Sequence, residues 1–352
     1  MSEKPEYAII GGGPAGAAAA YTLSKAGYKV TVYDSAPRLG LKPCGRGIPN
    51  ISHLPFPIPK ESILRQIRGA TLYVDGERVF DVEEGLSGVI VDKSVMLEAL
   101  ITDSGAELVK KAYYKIGKKH VRIGGNYVEV NRGLFAAGHG YYSDEKINAF
   151  QYRVKNRSFE EMDKLVIYFD TELIGYYYIF PSHSDEADVG VGGYADFPEL
   201  KSRLDKFMKE NEYVNGSKIL RHEGAQIAVG GVRLKLIDNL PAIGETAGYV
   251  LPLTGEGIRP SMLSGHTAAQ ALIDGGKVTE SLQKMPMTKS VNLQRKILER
   301  VKKMKPARRA ELLKSIPASV HAMIALGEIN RLELAKALIN KPSLLAKILG
   351  LL

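Results

Sequence analysis

Residues 7–34 confine the start of this chain to one kind of fold. Apolar Tyr7-Ala8-Ile9-Ile10 runs into Gly11-Gly12-Gly13-Pro14-Ala15-Gly16, small residues continue through Ala20, and a second apolar run, Lys29-Val30-Thr31-Val32-Tyr33, ends on Asp34. That order predicts a strand, a tight glycine turn, a helix and a second strand. Gly11 allows the sharp turn, Gly13 lets the backbone approach a pyrophosphate, and Gly16 lets the helix lie close on the strand, so the helix N-terminus faces the phosphates. Asp34, 18 residues after Gly16, stands where a carboxylate can bond ribose hydroxyls. A glycine triplet alone is a weak signal. With a strand before it, a helix after it and an acid closing the next strand, it predicts dinucleotide binding, with Gly11, Gly13, Ala15, Gly16 and Asp34 as contacts.

The 352 residues are 45% hydrophobic and 25% charged, the usage of an ordinary globular protein with room for a sizeable core and two domains. The single cysteine, Cys44, excludes intrachain disulfides and cysteine-rich metal or iron-sulfur sites and fits a reducing cytoplasm. The 7 histidines show no metal spacing, so no metal is expected. No apolar stretch reaches the roughly 18 residues of a spanning helix, and Met1-Ser2-Glu3-Lys4-Pro5-Glu6 lacks the regions of a signal peptide, so a cytoplasmic location is expected. Of the 48 basic and 39 acidic side chains, residues 281–352 hold 15 and 4, so the excess of +9 belongs to the C-terminal part.

Along the chain, residues 35–49 form a loop of turn formers around Cys44, and Asp75-Gly76 between Ala70–Val74 and Arg78–Val82 reads as a hairpin turn. A helix is expected from Lys93 to Ser104, then short strands around 107–114, 120–123 and 127–130, and an apolar strand Leu134-Phe135-Ala136-Ala137 ending at Gly138. Residues 150–234 change character: 166–169, 175–180, 188–192 and 225–229 read as strands, with one helix over 199–210. A block of antiparallel strands inserted in an α/β chain suggests a substrate sheet. Pro241-Ala242-Ile243-Gly244-Glu245, a loop to Gly257 and a helix over 258–274 resume the first domain. The expected division is 1–50, 92–149 and 235–280 for the dinucleotide domain, 51–91 and 150–234 for the substrate domain, and 281–352 for C-terminal helices.

Four stretches stand in order: Gly11 to Gly16 with Asp34; Lys42-Pro43-Cys44-Gly45-Arg46-Gly47; Tyr176-Tyr177-Tyr178-Ile179-Phe180-Pro181 followed by Asp188-Val189-Gly190-Val191-Gly192; and Ala242 to Gly248 with Pro252-Leu253-Thr254-Gly255-Glu256-Gly257-Ile258-Arg259-Pro260. In these the chain resembles the FAD-dependent geranylgeranyl reductases, the archaeal lipid-saturating branch of the flavoproteins related to aromatic hydroxylases. The resemblance covers about residues 5–275 and implies an α/β fold: a Rossmann-like FAD-binding domain with an inserted antiparallel-sheet substrate domain, followed by the C-terminal helical segment. It implies that Cys44, Gly45 and Gly47 lie against the flavin and that Cys44 is the catalytic candidate. It also implies that Lys93, Glu245, Gly255, Gly257 and Ile258 contact the cofactor, and that Tyr176, Tyr178, Phe180, Pro181, Gly190 and Gly192 form the substrate site. The residues support parts of this independently. A glycine loop feeding a helix N-terminus suits the electron-rich edge of a reduced isoalloxazine, and alternating Tyr176, Tyr178 and Phe180 share one strand face. Those rings could line a tunnel or pack a sheet. The family commonly has aspartate where Glu245 stands, tryptophan where Tyr178 stands and arginine where Lys93 stands.

The expected function is saturation of isoprenoid C=C bonds. Reducing an unactivated alkene needs a hydride source, a proton source and a dry site. The chain has no second GxGxxG in strand-helix context, so the electron donor is expected to be external, NADPH or a ferredoxin-like protein. The alternatives are an FAD-dependent monooxygenase of the same fold and a flavin electron-transfer or binding protein. The absence of tryptophan argues against flavin halogenases. Nucleic acid is not an expected partner. Leu293, Ile297, Val301 and Met304 recur at helical spacing beside Arg295, Lys296, Arg300, Lys302 and Lys303, and residues 344–352 are short and apolar. Such helices either hold the protein peripherally on an anionic inner membrane face or cap the substrate domain.

Overall fold

The computed structural model describes residues 5–82, 86–138 and 143–329, together with Lys336. Strand β1 (Glu6–Ile10), helix α1 (Pro14–Lys25) and strand β2 (Lys29–Asp34) follow the expected order. Pro14 opens α1 with its φ preset and no N–H to lose, and Lys25 ends it beside the negative pole of the helix. After β3 (Gly47–Pro49) and β4 (Ile63–Ile67) come β5 (Gly69–Val74) and β6 (Glu77–Val82), joined at Asp75 and Gly76. Both turn residues have positive φ, 48° and 84°, the two-residue hairpin turn that Asp-Gly favours.

Strand β7 (Gly88–Val91) leads to α2 (Lys93–Thr102), which Asp92 caps by accepting the N–H groups of Ser94 at 3.0 Å and Val95 at 3.2 Å. The short strands β8 (Glu107–Lys110), β9 (Ala112–Lys115), β10 (His120–Ile123), β11 (Asn126–Glu129) and β12 (Gly133–Phe135) follow. The middle of the chain supplies β13 (Lys146–Lys155), β14 (Lys164–Asp170), β15 (Gly175–Pro181), β16 (Glu186–Gly193), α3 (Phe197–Glu210) and β17 (Lys218–Ala228). Five helices close the described chain: α4 (Ile258–Ile273), α5 (Val278–Lys284), α6 (Pro286–Lys302), α7 (Pro306–Ser315) and α8 (Ala318–Leu326).

A parallel sheet in the order β12-β1-β2-β8 carries the glycine turn at the carboxyl end of β1. Residues after 235 do return to it, since Ala242 bridges Phe135 and the Ile243 N–H donates to the Phe135 carbonyl at 2.9 Å. Helices α1, α2 and α4 pack with this sheet in one core that includes Ile9, Leu23, Leu97, Leu134 and Met262. The seven-stranded sheet runs β17-β13-β16-β15-β14-β5-β6 and is antiparallel except where β14 meets β5. Its strands alternate as period-2 segments must: Tyr177, Ile179, Val189 and Val191 face α3, whereas Ile167, Phe169, Tyr176, Tyr178 and Phe180 face the opposite way, onto a cavity.

Residues 51–91 divide between two sheets rather than joining one. Only β5 and β6 extend the seven-stranded sheet; β4 and β7 pair with β3 in a separate sheet, because Val89 and Val91 are apolar on a segment buried in the first core. Position 149 lies inside β13, one continuous strand. The helical repeat Leu293, Ile297 turns inward onto Ile316, Val320 and Ile329, while α8 sets Ala322 against Ala70, Leu72 and Val82 of the sheet. The described C-terminal helices thus cap the seven-stranded sheet, and residues 344–352 lie outside the described residues.

Helix α4 reaches α1 through Gly265, where a β-carbon would collide with the backbone carbonyl oxygen of Ala15. Gly265→Val is expected to cost at least about 2 kcal/mol, because backbone cannot yield as a flexible side chain can. Calorimetric unfolding of the variant would show a lowered Tm.

Candidate active site

The start of α1 is assembled from close backbone contacts. Gly11 has φ +106° and stands so near the segment after β12 that a β-carbon would lie 2.7 Å from the Ala137 nitrogen, while one on Gly16 would overlap the Gly11 carbonyl oxygen. Gly13 differs: nothing stands within 4 Å of its β-carbon position, which opens on the cavity that Gly11 and Ala15 also line. Among the N-terminal candidates Gly16 alone lies behind the lining. Asp34 braces the turn, its oxygens accepting the N–H groups of Gly12 at 2.7 Å and Ala36 at 2.8 Å. A carboxylate keeps further lone pairs for a ribose.

The cavity is continuous and measures about 890 Å³. From the glycine turn it passes the loop carrying Cys44, Gly45 and Gly47, reaches the loop before α4 with Gly255, Gly257 and Ile258, and ends between the seven-stranded sheet and α6 to α8. That far chamber is mostly apolar, walled by Leu72, Ile167, Leu312, Ile316, Val320 and Ile324, with Arg309 and His321 among its polar groups.

Cys44 is half-buried and its Sγ accepts the N–H of Arg46 at 3.3 Å. Gly45 touches Phe180, since a β-carbon there would stand 2.6 Å from the ring. Glu245 does not simply face open cavity: its Oε1 holds Lys42 Nζ at 2.5 Å, so the loop before Cys44 is pinned to the 3₁₀ turn containing Glu245. Lys93 lines the cavity but is buried, and its ammonium donates to the Lys42 carbonyl. Burial pushes its pKa down, an effect opposed mainly by the neighbouring Cys44.

Of the substrate candidates, Tyr176, Tyr178, Phe180 and Gly192 line the cavity; Pro181 and Gly190 do not. Gly190 lies under the ring of Tyr178, where any β-carbon would strike it, and Pro181 pairs with Ala187 inside the sheet. The Tyr178 hydroxyl donates to Gln151 Oε1 at 2.6 Å, and Gln151 Nε2 donates to Glu223 Oε2 at 2.9 Å. Tyr176 donates to the Thr254 carbonyl and so ties the sheet to the loop before α4. Burial raises the pKa of both hydroxyls. Both hydroxyls therefore stay neutral at ordinary pH.

Several contributors carry no motif. Gln294 of α6 accepts the N–H of Leu253 at 3.2 Å and donates to the Ile324 carbonyl at 2.7 Å, joining the loop before α4 to α8. Arg309 lines the chamber while donating to the carbonyls of Val301 at 3.0 Å, Lys302 at 3.2 Å and Thr171. Glu256 lines the cavity with one oxygen 2.9 Å from the Arg259 nitrogen, and burial pushes its pKa up. A lone Gln, Arg or Glu on an amphipathic helix or loop looks like surface in sequence. No described group of three or more His, Cys, Asp or Glu could hold a metal.

His321 sits in the chamber wall between Phe80, at 5.3 Å, and Phe169, at 6.1 Å between ring centroids, with Nε2 3.1 Å from the Leu313 carbonyl. Burial lowers its pKa, and the hydrogen bond only partly opposes this. The unfolded chain therefore takes up this proton near pH 6.5, and the folded protein only at lower pH, so stability is lost as pH falls below about 6.5. The drop in Tm between about pH 7.5 and about pH 5.5 is expected to be smaller in His321→Gln than in the unaltered protein.

Residues 9–42 match the family model described as an NAD(P)-binding Rossmann-like domain. A digeranylgeranylglycerophospholipid reductase of Sulfolobus acidocaldarius is 30% identical over 77% of this chain and 69% of its own. The enzyme of the same name from Thermoplasma volcanium is 26% identical over 76% of this chain and 78% of its own, and the chloroplastic geranylgeranyl diphosphate reductase of Nicotiana tabacum is 25% identical over 77% and 66%. Among solved structures, a geranylgeranyl bacteriochlorophyll reductase-like protein from Thermoplasma acidophilum superposes with a TM-score of 0.77 at 20% identity, covering 99% of this chain and 100% of its own. The flavin-dependent halogenase CmlS superposes with a TM-score of 0.70 at 17% identity, covering 99% and 78%, a likeness of fold.

Proposed function

The chain belongs to the geranylgeranyl reductase family of FAD-dependent oxidoreductases, and on that premise we propose that it saturates C=C bonds of geranylgeranyl-type chains on membrane lipids or their precursors. The observation that carries this reading is the single cavity joining the dinucleotide turn to an apolar chamber.

The open position at Gly13, at the N-terminus of α1, is a cradle for a pyrophosphate, with Gly11, Ala15 and Asp34 around it and Gly16 setting the helix behind them. The glycine loop before α4, with Gly255, Gly257 and Ile258, fits the ring end of FAD. Bound FAD, once reduced by an external donor such as NADPH or a ferredoxin-like protein, supplies the hydride. Tyr176, Tyr178 and Phe180, fixed through Thr254, Gln151 and Gly45, orient the prenyl unit in this reading, and Gly192 leaves room beside them. The remaining prenyl units lie in the chamber under α6 to α8. Its apolar walls keep water from a developing cationic carbon. Cys44, at the junction of the two halves, is the group placed to give a proton to one alkene carbon, so that the neighbouring carbon, the developing cation, is the one that takes the hydride.

No described helix is long and apolar enough to cross a membrane. Lys296, Arg300, Lys303, Lys305 and Arg308 are exposed on α6, α7 and their junction, and we propose that this side meets anionic headgroups.

The protein is expected to purify yellow with FAD, and Gly13→Val to fold yet lose it, because the new side chain projects into the cofactor's space. Absorption spectra with thermal unfolding separate those effects; a colourless protein that cannot be reconstituted ends this reading. Dithionite-reduced protein given a prenyl lipid should yield saturated product by mass spectrometry. Cys44→Ala is expected to keep FAD and lower that turnover at least tenfold, the order of a missing positioned proton donor.

A further inference from the structure

Arg46 has a backbone φ of 62°, in the left-handed region that a bulky side chain seldom occupies, within the loop between Cys44 and Gly47. The residue lines the cavity and is 8% exposed. Nε donates to Asp188 Oδ2 at 2.7 Å, and Nη2 lies 2.6 Å from the same oxygen, yet Nη2 has no aligned acceptor among the described residues. Asp188 is fully buried and already serves a second guanidinium, Arg153, whose Nε donates to Oδ1 at 2.8 Å and Nη2 to Oδ2 at 3.1 Å. One buried guanidinium and one partly buried one against a single fully buried carboxylate leave a surplus of one positive charge.

The neighbouring charges do not cancel it. Glu223, on the adjoining strand, has its own cation in Arg221 at 3.4 Å, and Glu245 is held by Lys42 with Lys93 beside them. A buried surplus charge is costly unless something answers it. A cation in a low-dielectric wall acts strongly on any anion brought beside it.

We propose that the surplus charge of the Arg46–Asp188–Arg153 cluster stabilises the reduced, anionic flavin over the oxidised, neutral one, so that this cluster sets the cofactor's reduction potential. The inference rests on the FAD reading above. Two electrons and one proton convert bound FAD to a monoanion, the electrons coming from dithionite in a titration, and its negative charge answers the cluster's positive one. Arg46 acts here as a tuning residue with no bond to the reacting atoms required. The left-handed backbone is what turns a guanidinium from this loop onto Asp188 rather than into solvent.

The test is the midpoint potential of the FAD-loaded full chain and three variants, by dithionite titration against a reference dye. Arg46→Gly suits the left-handed backbone, leaves Asp188 paired with Arg153 and removes the surplus; its preference for reduced over oxidised flavin is expected to fall at least tenfold, about 30 mV more negative for a two-electron couple. Arg153→Gln removes the surplus without touching the loop and is expected to shift the potential in the same direction. Arg46→Lys keeps the charge and is expected to recover at least half of the loss. If Arg46→Gly fails to hold FAD, Arg153→Gln against wild type decides. Unchanged potentials in the neutralised variants, or Arg46→Lys shifted as far as Arg46→Gly, overturn the inference. A wild-type protein without FAD would instead remove the functional reading beneath it.

Discussion

The close approach of backbones around the first turn of α1 is the constraint on which the rest depends. Gly16 admits the carbonyl of Gly11, Gly265 admits the carbonyl of Ala15, and the turn is braced by the Gly12 N–H on Asp34. None of these contacts has a large apolar area. They act by geometry: the helix can descend onto β1, and α4 onto the helix, only if side chains are absent there. With that packing in place Gly13 is left facing open space, and the cavity begins.

Polar bonds then transmit this rigid base to the softer half of the cavity. Lys42 and Glu245 fix the loop of Cys44; Tyr176 fixes the loop before α4 to β15; Gln294 fixes the same loop to α6 and α8. Each is a buried or half-buried group whose loss would leave its partner unsatisfied, so such ties are more restrictive than their number suggests. The seven-stranded sheet and its capping helices are thereby held against the parallel sheet and its loops. Arg309 does the same for the last turn of α6, satisfying carbonyls that helix ends leave open.

What sequence showed best was local. The fingerprint from Tyr7 to Asp34, the Asp75-Gly76 hairpin and the helix over 258–274 each depend on residues close in the chain, and each stands where expected. The seven-stranded sheet was legible as strands but not as an order, because pairing of β14 with β5 joins residues far apart and no local pattern encodes it. Among the cavity-lining residues, the shared face of Tyr176, Tyr178 and Phe180 was legible from alternation. Gly190 was placed among them by motif, but its neighbour is the ring of Tyr178. Asp188 stood inside a quoted motif without its meaning being visible, since its partners come from a distant loop and another strand. Glu245 and Lys93 turned out to hold the Cys44 loop, a task that only three-dimensional proximity reveals.

The discontinuity of the parallel sheet has a consequence for biosynthesis. Strand β1 leaves the ribosome before its sheet partners: its neighbour β12 ends at Phe135, the bridge onto Phe135 comes from Ala242, and α4, which seals α1, ends at Ile273. At ordinary elongation speeds the opening strand and its alanine-rich helix wait on the order of ten seconds or more for these partners. During that interval β1 and β2 present unpaired edges and an uncovered apolar face, the features that invite association between nascent chains. Among the elements of this sheet, the chain's most recognisable segment is therefore the one that waits longest for its partners.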